Sequence, residues 1–139
     1  LINFELDERL AADTFPIADL PLSRVLLMND ARYPWVILVP RHASISEVFE
    51  LSENDQQQLW QEATQLGDTM KAALGGDKVN IAALGNVVSQ LHVHVVIRRH
   101  SDATWPAPVW GIGSPEPYDL DGQAQLRDQL LALIDGLNG

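Results

Sequence analysis

The sequence predicts an α+β domain built on an antiparallel sheet, and three observations carry that reading. Short β-branched runs occur in hairpin order, one long amphipathic helix interrupts them, and a second helix follows near the C-terminus. The 139 residues suit a single domain with a sizeable core. Taken in order, Asp7 to Ala12 is short and mixed, enough for a turn or two of helix. Pro16 and Pro21 then punctuate the approach to the first strand, Leu22 to Met28, with its apolar run Val25-Leu26-Leu27-Met28. Asn29-Asp30-Ala31-Arg32 reads as a turn, and Trp35 to Val39 as the returning strand of a hairpin, stopped by Pro40.

Ser52-Glu53-Asn54-Asp55 is a helix start, a hydroxyl cap followed by acids where the helix dipole favours them. Leu59, Ala63, Leu66, Met70, Ala73 and Leu74 then repeat at helical spacing, and Gly75-Gly76 ends the helix. Lys78 to Leu84 and Leu91 to Ile97 are further strands. The prolines between Trp105 and Pro117 exclude regular structure there. Gln123 to Leu137 forms a last helix whose Leu126, Leu130, Leu133 and Leu137 share one face, as core or as dimer surface.

Composition narrows the function classes. Apolar residues are 46% and charged residues 20%, which excludes disordered and collagen-like classes. Acids outnumber bases 19 to 9, for a net charge of −10, so the surface repels nucleic acid and anionic membranes, and an anionic ligand needs local positive charge. Without cysteine there is no disulfide, thiolate metal site or thiol nucleophile. Apolar runs such as Trp35 to Val39 are too short to span a bilayer, and nothing present reads as a signal peptide. The expected setting is the cytoplasm, with neither nucleic acid nor membrane as partner.

Three of the four histidines fall between His92 and His100. On a strand, side chains alternate, so Gln90, His92, His94, Val96 and Arg98 share one face and Leu91, Val93, Val95 and Ile97 the other. The second face is wholly apolar and must pack on a core. The first aligns an amide, two imidazoles about 7 Å apart and a guanidinium, a row that can act on one substrate group. A metal is the rival reading, but a catalytic zinc needs three protein ligands, and neither His42, His100 nor a carboxylate stands at ligand spacing. No metal and no cofactor are expected.

Gln90-x-His92-x-His94 followed by two apolar residues resembles the signature of the histidine triad (HIT) superfamily, with glutamine in the first histidine's place. The resemblance extends through Leu26 to Asp30, Val36 to His42, the helix after Ser52, Asn80-Ile81, Gly85-Asn86-x-Val88 and Arg98. It covers about residues 22–100, and the Trp-Pro-x-Pro-Val-Trp-Gly tail is similar to a bacterial Gln-first branch. It implies a HIT-like α+β fold with an antiparallel sheet of about five strands, backed by one long helix and followed by a C-terminal helical extension. Residues 1–110 would form the HIT-like domain, and 111–139 a tail and helix of the same domain or of a dimer interface.

The implied activity is hydrolysis of a nucleotide phosphoanhydride or phosphoramidate through a nucleotidyl-histidine intermediate, as in dinucleoside polyphosphate hydrolases. The alternatives are nucleotidyl transfer to another acceptor and a non-catalytic nucleotide sensor. The motif puts the nucleophile on His92, phosphate binding and acid assistance on His94, and a hydrogen-bonding role on Gln90. Asn29 matches the nucleoside-contacting asparagine. Pro34-Trp35 stands where many members carry Gly-His, Asn86 where glutamine is usual, and Ile97 where proline is usual. Asn86 is a candidate substrate contact at that position. Arg41 and Arg98 are candidate phosphate contacts or merely solvated heads on apolar stems. Trp105 and Trp110 stack on a base, close over a partner subunit's site, or serve as packing. A homodimer is expected as well.

Overall fold

A computed structural model describes residues 3–138. The chain runs α1 (Glu8–Asp13), β1 (Thr14–Asp19), β2 (Ser23–Met28), β3 (Trp35–Pro40), α2 (Glu53–Leu74), β4 (Lys78–Ala82), β5 (Val93–Arg98) and α3 (Leu120–Asn138). The five strands make one antiparallel sheet in the order β1-β2-β3-β5-β4.

Strand alternation sorts the sheet into two faces. Val25 and Leu27, Val36 and Leu38, and Val93, Val95 and Ile97 point to the helix layer, joining Leu59, Ala63, Leu66 and Met70 of α2 and Leu130 and Ile134 of α3 in the larger core. Leu26, Trp35, Ile37, Val39 and Val96 point the other way and pack with Leu10, Tyr33 and Val109. The apolar face expected of Leu91, Val93, Val95 and Ile97 thus lies under the helices. His94 and Arg98, on the alternate positions of β5, lie on the other side.

Helix α2 forms as its sequence dictates. Ser52 Oγ accepts from Asp55 N, and Gly75, at φ +67°, turns the chain so that Gly76 N returns to Lys71 O at 2.9 Å. Ala73 departs from the expected buried stripe and is exposed, whereas Glu62 is buried. The Glu62 carboxylate accepts from Leu22 N and Ser23 N, at 2.8 and 3.1 Å, fastening the helix to the start of β2. Gly67 lets the helix lie close on the sheet, since a Cβ there would sit 3.0 Å from Val79 Cγ1.

Strand β1 replaces what the prolines suggested was only an approach. Pro16 is tolerated because β1 is an edge strand, and the register slips between Pro16 and Ala18. The leucine stripe of α3 faces its own core. Leu130 is fully buried, and Leu126, Leu133 and Leu137 are partly buried against the same cluster, so the stripe is not a free dimer surface. Residues 102–117 have no regular elements, as the prolines require. Among the described residues no helix is long and apolar enough to cross a membrane.

Candidate active site

The face of the sheet away from α2 and α3 is covered only in part, by α1 on one side and the proline-rich loop on the other. Between them lies a cleft of about 680 Å³. His92 and His94 line it with Asn29, Asn86 and Trp110, so five of the nine site residues expected from the sequence meet there.

His92 stands just before β5. Its Nδ1 is 2.7 Å from the backbone oxygen of Gln90. A carbonyl only accepts, so Nδ1 is the donor, and in the neutral ring Nε2 keeps a lone pair. That is the form of imidazole able to attack an electrophile. His94, on β5, has a different neighbour. In the β3–β5 register Ile37 faces His94 and Trp35 faces Val96, which makes Trp35 the diagonal neighbour of His94. The Trp35 indole Nε1–H donates to His94 Nδ1 at 3.0 Å. The two imidazoles are 4.9 Å apart between centroids, inclined at 68°. That is closer than strand spacing alone suggests, because His92 lies outside the strand and turns back to its own chain. Trp110 packs edge-on against His94 at 5.3 Å and against Trp35 at 6.1 Å. Burial, and secondly the neighbouring His92, push the His94 pKa down to about 3.

Asn29 is oriented by the C-terminal segment, its Oδ1 accepting from Tyr118 N at 2.9 Å. Tyr118 itself is raised to about 12 by burial and the nearby Asp30. The β2–β3 turn contributes Asp30 and Arg32. Burial alone would raise Asp30, but the Arg32 guanidinium, at 2.8 Å, and the backbone N–H groups of Arg32 and Glu116 hold it below the usual carboxylate range.

Four expected residues stand elsewhere. The Gln90 side chain turns to the N-terminal segment, its Oε1 accepting from Asp7 N and its Nε2 donating to Glu5 O, both at 2.8 Å. Arg41 binds the backbone oxygens of Leu20, Pro21 and Leu22 and the Asp19 carboxylate. Arg98 is 1% exposed, paired with Asp102 at 2.8 Å and bonded to Asn80 and Thr104. Asp102 is correspondingly held at about 2, the Arg98 pair and the N–H groups of Arg99 and Thr104 outweighing its burial. Trp105 packs against His100 and the Arg98 guanidinium.

Sequence reasoning missed Arg9 and Asp13 of α1, the Asp30–Arg32 pair and Trp35 as cleft residues. Only Trp35 carried a signal, as the departure at the position where Gly-His is usual. Among the described residues no group of three His, Asp or Glu side chains is placed to hold a metal ion. The cleft therefore presents two imidazoles side by side, His94 held neutral by burial, enclosed by two indoles.

Residues 9–101 match the HIT domain model. A histidine triad protein from Marinobacter aquaeolei VT8 superposes with a TM-score of 0.93 at 48% identity, over 96% of this chain and 98% of that one. One from Sinorhizobium meliloti 1021 gives 0.91 and 48%, over 94% and 96%, and one from Bradyrhizobium japonicum 0.88 and 45%, over 95% and 96%. No curated protein matches the chain. The five-stranded α+β fold is therefore the HIT fold, and this protein belongs to the HIT-domain family.

Proposed function

We propose that the protein hydrolyses a nucleotide phosphoanhydride or phosphoramidate at its α-phosphorus through a covalent nucleotidyl-His92 intermediate, as dinucleoside polyphosphate hydrolases do. The observation that carries this is the bond from His92 Nδ1 to the Gln90 carbonyl, which in the neutral ring leaves Nε2 its lone pair, on a ring that lines the cleft. Asn29 and Asn86 supply polar contacts and Trp110 an apolar wall, while Arg9 and Arg32 line the cleft together with Asp13 and Asp30, so its wall is balanced in charge on a chain of net charge −10. Gln90 contributes its backbone oxygen to the reaction and its side chain to the N-terminal segment.

Rapid quenching with a nucleotide labelled on the α-phosphate tests the reading. Labelled protein should accumulate and then decay as product appears, and His92→Ala should abolish both. Tight binding without label transfer would favour a sensor, and transfer to an added acceptor faster than to water would favour a transferase. A homodimer remains part of this reading. Light scattering at micromolar concentration that returns a 15.4 kDa species would remove it.

A further inference from the structure

Trp35 decides what His94 can do. An indole N–H donates and never accepts, so His94 Nδ1 must present a lone pair to it, and the proton of the neutral ring sits on Nε2. Protonating Nδ1 would set two N–H groups against each other across 3.0 Å in a site where His94 is 5% exposed. We propose that Trp35 locks His94 as a neutral Nε2–H donor, able to hold a phosphate oxygen but unable to give or take a proton, and thereby restricts the substrate to nucleotides whose leaving group departs as a stable anion. That class is the phosphoanhydrides, as against the phosphoramidates. The inference rests on the covalent reading of His92 and narrows its substrate.

The steps balance without a protein acid. The His92 Nε2 lone pair attacks the α-phosphorus, the bond to the bridging oxygen breaks, and its electron pair leaves on the departing phosphate. His92 keeps its Nδ1–H on the Gln90 oxygen and carries the positive charge. Water then attacks the phosphorus, the P–N electron pair returns to Nε2, and the water proton passes to solvent. The His94 Nε2–H can steady the charge on a phosphate oxygen throughout. An amine leaving group, by contrast, must take up a proton as it goes. His94 is held neutral by burial and by His92, and Asp30 is held ionised by Arg32, so neither has one to give. The other titratable groups of the cleft wall, Arg9 and Asp13, come from α1 rather than from the segment that carries the histidines.

Two measurements decide it. In protein labelled with ¹⁵N-histidine, long-range ¹H–¹⁵N correlation should show His94 with Nε2 protonated and Nδ1 bare at neutral pH. Trp35→Phe, which keeps an aromatic ring but deletes the N–H, should bring in the other tautomer. An imidazolium or an Nδ1–H form of His94 in the unmutated protein would overturn the lock, whatever the turnover. In the second arm, kcat/KM is compared for a matched anhydride and phosphoramidate of one nucleoside. The anhydride should win by at least about 100-fold, the low end of what a general acid contributes, and Trp35→Phe should narrow the gap. Equal rates for the two substrates, with labelled His92 still forming, would overturn the substrate restriction and leave the covalent reading standing. No labelled His92 with either would overturn the covalent reading and the restriction with it, while the spectra still decide the tautomer.

Discussion

Acidification draws on the stability of this fold through the buried ring of His94. In the unfolded chain that ring has its ordinary value of 6.5, and in the folded protein burial and His92 lower it to about 3. Between those values the unfolded state holds a proton that the native state does not, so stability is fully present above 6.5 and falls as the pH drops toward 3. Each pH unit in the window removes about 1.4 kcal/mol, so going from neutral to about pH 5 removes about 2 kcal/mol. His94→Asn isolates this contribution. The shorter side chain cannot titrate but offers an oxygen near the Nδ1 position, so the Trp35 N–H keeps an acceptor. Urea unfolding of both proteins at a series of pH values gives the comparison. Asp30 and Asp102, both lowered, also withdraw stability on acidification, but they are common to the two proteins and cancel in the difference. The stability advantage of the unmutated protein over His94→Asn should shrink by about 2 kcal/mol between neutral pH and about pH 5. A difference that stays flat across that range would mean that His94 is not held as a buried neutral ring.

Gln90→Ala removes two hydrogen bonds to the N-terminal segment and should loosen it by about 1–3 kcal/mol. Hydrogen exchange should rise in α1 while the His92 ring resonances hold, because the partner of His92 is a backbone oxygen; unchanged protection of α1 would remove the tether. Asp102→Ala strands the buried Arg98 guanidinium and should lower the unfolding free energy by about 3–5 kcal/mol. A loss under about 1 kcal/mol, the range of an exposed pair, would mean that Arg98 finds water or another partner.

The parts of the fold governed by local rules were legible in the sequence. Ser52 and Gly75 marked the ends of α2, and period-two alternation placed Val93, Val95 and Ile97 under the helices. Strand β1 was hidden because Pro16 argues against a strand unless the strand is at an edge, and edge position is a property of the finished sheet. The candidate site was legible where chemistry lies along one short stretch of chain, in His92 and His94. His92 itself sits just before β5, with only His94 on the strand, and the site was illegible where contacts join distant segments. Gln90 and Arg98 share the strand parity of the histidines, yet Gln90 is taken by Glu5 and Asp7, and Arg98 by Asp102 and Asn80. Parity gives the side of the sheet; the competing partner decides whether a polar head reaches the cleft. Trp35 shows the converse, an apolar strand residue whose one polar atom acts on a neighbour far away in sequence.

The loop that carries Trp110 lacks regular structure but is fastened at its root. Asp102 accepts from Arg98, Arg99 N, Thr104 N and Trp105 N, while Tyr33 bonds Thr104 and Arg32 bonds Ile112 O. A wall built this way has surrendered its conformational freedom during folding. An incoming ligand therefore meets a mould already cast and has little chain left to freeze. Association should then be limited by encounter and orientation and not by loop closure, with single-phase binding traces whose rate rises linearly with ligand concentration. Differences in affinity between ligands would accordingly reside in how long each one stays.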